Sequence, residues 1–129
     1  MTREVTPDDG DAIRVLFNCY RDRVAGDFAQ FMKMALGWDL AYLKVNGLVV
    51  GAAIRRAGEL HIGVLPEWRG RWATRSFIRR ILKWAGESGP VTTGVMTGNH
   101  AGARLVEGTG FAPVEMTERG TRYVLSSQP

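Results

Sequence analysis

The sequence predicts a single domain of the α/β (α+β) class, with about seven strands in one mixed, mostly antiparallel twisted sheet and about four helices. Three observations predict it. The chain has 129 residues, enough for one real core without disulfide or metal staples. Segments with helical spacing of apolar residues alternate with short extended runs in the order β, α, α, β, β, β, α, β, α, β, β. No repeat, low-complexity tract or linker interrupts that order, so residues 1–129 read as one domain.

Residues 2–5 read as a short strand. Thr6-Pro7-Asp8-Asp9 then reads as a helix start, with Thr6 as N-cap and Pro7 at the first helical position. Ala12, Ile13, Leu16, Phe17, Tyr20 and Val24 recur at helical spacing, and Phe28, Phe31, Met32 and Ala35 form a second stripe over about 27–36, ended by Gly37. Such stripes are read as core. Residues 40–45 and 48–55 are extended, and Asn46-Gly47 between them is a strong hairpin signal. Ala57-Gly58 turns the chain into a third consecutive strand, 59–64.

Phe77, Ile78, Ile81, Leu82 and Ala85 give the next helix its apolar face, while Arg71, Arg75, Arg79 and Lys83 fall four apart on another, and Gly86 and Gly89-Pro90 close it. Beyond its first turn that basic row reads as a solvated face. Residues 91–97 read as a strand, Gly98-Asn99 as a break and 100–107 as a short helix, and Gly110-Phe111 enters a last hairpin turning at Arg119-Gly120.

A hydrophobic content of 45% with 23% charged residues is ordinary globular composition and argues against disorder. The single cysteine, Cys19, cannot form an internal disulfide and reads as a buried thiol in a reducing compartment. The first residues lack a signal-peptide pattern and the longest apolar run, 48–54, is too short to span a bilayer, so a cytoplasmic protein without a membrane partner is expected. The net charge of +4 suits an anionic cofactor as well as nucleic acid. Nucleic acid is the least favoured, since the basic row lacks interleaved aromatics. His61, His100 and Cys19 make no metal-ligand spacing, so no metal is expected. His100 itself reads as an exposed residue at a helix start.

The most informative stretch is Val64-Leu65-Pro66-Glu67-Trp68-Arg69-Gly70-Arg71-Trp72-Ala73-Thr74-Arg75, a strand end turning through a basic loop into a helix. Unpaired helix N-terminal N–H groups, the positive end of the helix dipole and fixed cations together suit a phosphate or pyrophosphate.

That stretch, the opening Arg3-Glu4-Val5-Thr6-Pro7-Asp8-Asp9 and the run Asn99 to Phe111 resemble motifs of the GCN5-related N-acetyltransferase (GNAT) family. The resemblance spans nearly the whole chain. It implies a sheet splayed between the fourth and fifth strands, with the acetyl-CoA arm in the gap and its thioester end at Val64. It implies a pyrophosphate over Arg69, Gly70, Arg71, Trp72, Ala73, Thr74 and Arg75, and Asn99 on the cofactor's other flank. It further implies transfer of an acetyl group to the amine of a small molecule or protein, by direct attack in a ternary complex.

Two positions depart from the family pattern. Trp72 and Thr74 stand where the loop ordinarily carries Gly and then Gly or Ala, and a glycine allows close backbone approach to phosphate. An indole turned out of the groove leaves the site usable, whereas one lying in the groove replaces the cofactor. Val106 stands where many members have a tyrosine that protonates the departing thiolate, which leaves Tyr123 as a candidate acid. Glu59 and His61 are the candidate bases, because they are the titratable groups of the fourth strand and an imidazole exchanges a proton near neutral pH. Alternation places both opposite Leu60, Ile62 and Val64 unless a bulge re-aims one. The alternative for His61 is a packed or surface histidine, and for Glu59 a solvated one.

Trp38, Tyr42 and Phe28 are candidates for the acceptor side, or for core. The competing function is a catalytically inactive GNAT-like domain serving as a binding or structural module in a larger assembly or homo-oligomer. The Trp-rich loop also resembles small acetyltransferase-like proteins of bacteriophages, which suits either role.

Overall fold

The computed structural model describes residues 2–21 and 26–125. Val24, assigned above to the first helical stripe, lies outside them. The chain runs β1 (Arg3–Pro7), α1 (Ala12–Tyr20), α2 (Phe28–Met34), β2 (Asp39–Val45), β3 (Leu48–Arg56), β4 (Glu59–Val64), a 3-10 turn (Pro66–Trp68), α3 (Arg75–Gly86), β5 (Thr92–Met96), α4 (His100–Gly108), β6 (Phe111–Met116) and β7 (Gly120–Leu125). The seven strands form one mixed sheet in the order β1-β2-β3-β4-β5-β7-β6. Every pairing is antiparallel except that of β4 with β5.

Both early turns take the left-handed conformations that hairpins of matching twist require. Asn46 and Gly47 have φ of 52° and 78°, and Ala57 and Gly58 have 50° and 87°. The expected helix start at Thr6-Pro7 is corrected: both residues belong to β1, opposite Tyr42 and Ala41. Pro7 is tolerated because β1 is an edge strand. The capping role passes to Asp8, whose carboxylate accepts from Gly10 N at 2.8 Å and Ala12 N at 3.0 Å. α2 is entered through a capping box between Asp27 and Gln30. Arg71, read above as the head of a helical row, precedes α3.

The helices cover opposite faces. Leu43, Val45, Ala53 and Leu60 bury one face of the sheet with Phe77, Ile78, Ile81 and Leu82 of α3, and this core continues into Phe111, Tyr123 and Leu125. On the other face Leu16 of α1 packs with Ala52 and Ile54, joined by Tyr20, Phe31, Trp38 and Leu40. α1 lies close to β4 at Gly63, where a Cβ would stand 2.8 Å from Cys19 Cβ and 2.9 Å from Leu16 Cδ1. Cys19 is buried, and loss of hydration pushes its thiol up to about 11. Among the described residues no helix is long and apolar enough to cross a membrane, and no three His, Cys, Asp or Glu side chains are grouped to hold a metal ion.

Candidate active site

The site begins where β4 and β5 part. They pair at one position, Glu59 with Thr92. Thr92 N donates to Gly58 O at 2.9 Å and Thr93 Oγ1 to Leu60 O at 2.7 Å, which closes this joint. Past it β4 keeps its full register with β3, from Arg56 opposite Glu59 to Gly51 opposite Val64, but among the described residues has no ladder partner on its β5 side. Backbone groups alternate in direction along a strand. Leu60 O points toward β5, and Leu65 N donates across to Val50 O of β3 at 2.8 Å, so the N–H and C=O groups of Ile62 and Val64 point into the gap. An open strand edge inside a sheet offers main-chain pairing to an extended, amide-bearing ligand.

The gap leads to the turn before α3. Gly70 takes a left-handed φ of 79°, a conformation disfavoured for a side-chain-bearing residue. Thr74 caps α3, its Oγ1 accepting from Phe77 N at 3.3 Å. Arg71 N is engaged by Trp68 O. Among the described residues, the N–H groups of Gly70, Trp72, Ala73, Thr74, Arg75 and Ser76 make no hydrogen bond within the chain. This run of open amides at a twelve-residue helix's positive end is a cradle of N–H donors of the kind that suits an anion.

Trp72 turns its indole away from the cradle. It is 8% exposed and packs in the core edge-on to Phe77, with ring centroids 6.1 Å apart, while its carbonyl accepts from Arg3 Nε at 3.2 Å. The left-handed residue of the turn is Gly70, so position 72 does not need a glycine's φ. Of the arginines, Arg69 reaches back to α1, where Nη2 donates to Cys19 O at 2.9 Å. Arg71 lies over the Trp68 ring, 4.9 Å from its centroid, and Arg75 is exposed on the first turn of α3. Asn99 caps α4, its Oδ1 accepting from Gly102 N at 3.0 Å.

The candidate bases meet each other. His61 Nε2 is 2.7 Å from Glu59 Oε2, and the imidazole lies 5.8 Å from the Trp38 ring. The β3–β4 register has no bulge to re-aim either side chain; the sheet's register shifts fall at Leu43/Lys44 and Pro113/Glu115. Glu59 and His61 therefore share with Gly63 the face on which α1 and α2 pack, opposite Leu60, Ile62 and Val64. Arg56 stacks over Trp38 at 4.4 Å and completes the rim of this pair.

Tyr123 is not brought to the gap. It lies on β7, with β5 between it and β4, and its hydroxyl donates to Glu107 Oε2 at 2.9 Å, which holds the phenol above its ordinary pKa. Val106 packs against the core. Tyr42 is buried and donates to Asp9, and Phe28 packs edge-on to Phe17, so of the three acceptor-side candidates Trp38 alone adjoins His61. The residue that periodicity concealed is Tyr20, the last of α1, whose hydroxyl donates to Ile62 O at 2.6 Å on the open edge of β4. Its one sequence signal is a polar tip at the end of an apolar stripe.

A cleft of about 530 Å³ bounded by Pro7, Asp39, Arg55 and Trp84 lies at the far end of α3. Arg55 is bound there to Glu87 at 2.9 Å, to Asp39 at 3.4 Å and to the Trp84 carbonyl, so its charge is engaged away from the cradle.

No family model matches this chain, and no curated protein does. Solved structures match its fold over nearly its whole length. A chimera of the spermidine N-acetyltransferase of Vibrio cholerae and hSSAT superposes with a TM-score of 0.75 at 14% identity, covering 97% of this chain and 95% of that one. The ribosomal-protein-S18-alanine N-acetyltransferase of Escherichia coli gives 0.70 at 15%, covering 98% and 96%. The yncA protein of Salmonella typhimurium, solved with its cofactor acetyl-CoA, gives 0.64 at 17%, covering 96% and 92%. The fold is that of the GNAT acetyltransferases.

Proposed function

We propose that this protein is an acetyl-CoA-dependent N-acetyltransferase, transferring an acetyl group to an amine by direct attack in a ternary complex. The observation that carries this reading is the continuity of the open β4 edge with the amide cradle before α3, since acetyl-CoA has an amide-bearing arm attached to a pyrophosphate. Acetyl-CoA supplies the activated acyl thioester. Val64 would pair with the arm through its N–H and C=O, while the Gly70 to Ser76 amides, with Arg71 and Arg75, would hold the pyrophosphate. Asn99, the cap of α4, would flank the cofactor on its other side.

The acceptor approaches over the face of α1 and α2, where Trp38 walls the approach to His61. An amine must be neutral to act as a nucleophile. His61 takes a proton from the ammonium, and Glu59 orients the ring through their 2.7 Å contact. The structural neighbours named for spermidine and for an alanine of a ribosomal protein act on amines, which fits a small-molecule or protein amine here.

Calorimetric titration tests the reading. Acetyl-CoA is expected to bind saturably with a Kd of roughly 1 μM to 1 mM, and no heat at millimolar ligand overturns it. His61→Ala is expected to lower kcat by about 10²- to 10⁴-fold over an amine panel while leaving the Kd for acetyl-CoA unchanged. One observation favours the inactive binding module: the usual acid's position holds Val106, and Tyr123, the candidate substitute, is tethered to Glu107. Tight binding without turnover over the same panel is its expected result.

A further inference from the structure

Resting on the acyl-transfer reading above, we propose that the hydroxyl of Tyr20, delivered by α1 to the open edge of β4, is the proton donor to the departing CoA thiolate. The chain has three tyrosines. Tyr42 donates its hydrogen bond to the Asp9 carboxylate and Tyr123 to that of Glu107, and each carboxylate holds the proton on the phenol. Tyr20 donates to a main-chain carbonyl, Ile62 O, on the edge against which the thioester would lie. A carbonyl is a weaker acceptor than a thiolate, so the bond to Ile62 O yields when negative charge develops nearby. Ile62 O and Val64 N–H follow one another along the same edge, within one two-residue repeat of about 7 Å. The proton donor thus stands beside the Val64 N–H, at the end of the arm that carries the thioester.

The chemistry balances. The amine nitrogen bonds to the acyl carbon, the C–S bond breaks with its electron pair going to sulfur, and sulfur takes the Tyr20 proton to give CoA thiol. The proton lost from the amine goes to His61, and the tyrosinate is reprotonated by solvent. A phenol, ordinarily near a pKa of about 10, lies within about two units of an alkyl thiol, so the transfer runs close to balance in either direction. A second hydroxyl near the gap, Thr93 Oγ1, is an aliphatic alcohol and a much weaker acid, and it is held by Leu60 O at the joint. α1 is also held in register with the cradle, because Arg69 Nη2 donates to Cys19 O, one residue before Tyr20.

The test is Tyr20→Phe, read in two ways. Free CoA bound to each protein is titrated with pH by the ultraviolet absorbance of its thiolate. Donation from Tyr20 favours the charged sulfur, so the bound thiol is expected to ionise at lower pH in the parent than in the variant. Acetyl transfer to the best amine of the panel is then compared with acetyl-CoA and with p-nitrophenyl acetate, whose leaving group needs no acid. Tyr20→Phe is expected to lose about 10²-fold in kcat with acetyl-CoA and to be within about 2-fold of the parent with the ester.

Coincident thiol titrations, or equal losses with both donors, overturn the role of Tyr20. If the variant does not fold, the parent alone decides: its rate with acetyl-CoA must fall at high pH as the phenol ionises while its rate with the ester does not, and parallel profiles overturn the assignment. CoA that fails to bind the parent at all overturns the acyl-transfer reading instead, a separate result.

Discussion

Trp72→Gly, which restores the glycine ordinarily found in such loops, is expected to destabilise the protein severely and to leave acetyl-CoA binding no tighter. The indole is 8% exposed and packed on Phe77, so its removal opens a cavity in the main core. Truncating a buried Trp costs about 3–5 kcal/mol, and glycine's freedom in the unfolded chain adds about 0.5–1 kcal/mol. A domain of this length loses roughly 3–5 °C per kcal/mol, so thermal unfolding followed by circular dichroism should shift down by about 10–25 °C. A melt within about 3 °C of the parent would mean that the indole is not a core residue. Binding has nothing to gain, because the turn already has its left-handed residue in Gly70 and the amide of residue 72 is open with Trp in place.

The second large effect is expected at Gly58→Val. Gly58 has a φ of 87°, and a Cβ there would run into the backbone carbonyl of Pro90. A β-branched residue is strained at that φ whatever the space, and the neighbour is backbone, which cannot swing aside. Strain and overpacking each cost about 1–3 kcal/mol, so a loss of about 3–5 kcal/mol in denaturant-measured stability is expected. Gly58 also supplies the carbonyl that receives Thr92 N and donates its own N–H to Ser88 Oγ at 2.9 Å, so hydrogen exchange at Thr92 should accelerate most. Gly47→Val is the control: its φ of 78° brings the same strain, but a Cβ there meets nothing within 4 Å. Equal losses at the two positions would show that conformational strain alone, without the clash at the joint, accounts for the effect.

Local signals carried most of the fold. Asn46-Gly47 and Ala57-Gly58 specify their turns through backbone angles that few residues tolerate, and the stripe Phe77, Ile78, Ile81, Leu82 and Ala85 identifies the buried face of α3. Thr6-Pro7 misleads for the same reason, since a cap signal is local whereas the pairing of Thr6 with Tyr42 joins residues far apart in sequence. The site divides likewise. The loop from Val64 to Arg75 is contiguous and legible, as are Glu59 and His61 on one strand. The direction of the Trp72 indole depends on the packing of α3, and the reach of Tyr20 depends on α1 lying against Gly63 of β4; neither is encoded within a short window.

The solitary parallel pair between Glu59 and Thr92 also has a mechanical meaning. The strands β1 to β4 are hydrogen-bonded among themselves, as are β5, β7 and β6, and among the described residues that joint with its few flanking bonds is all the sheet pairing the two sets share. The seven-stranded sheet is therefore two hydrogen-bonded sets of strands laid edge to edge, joined chiefly by the core beneath α3. Separation along the seam breaks few hydrogen bonds and requires less free energy than global unfolding. A molecule seated along the seam and bonded to both edges would act as a missing strand, and its binding free energy would become cohesion between the halves.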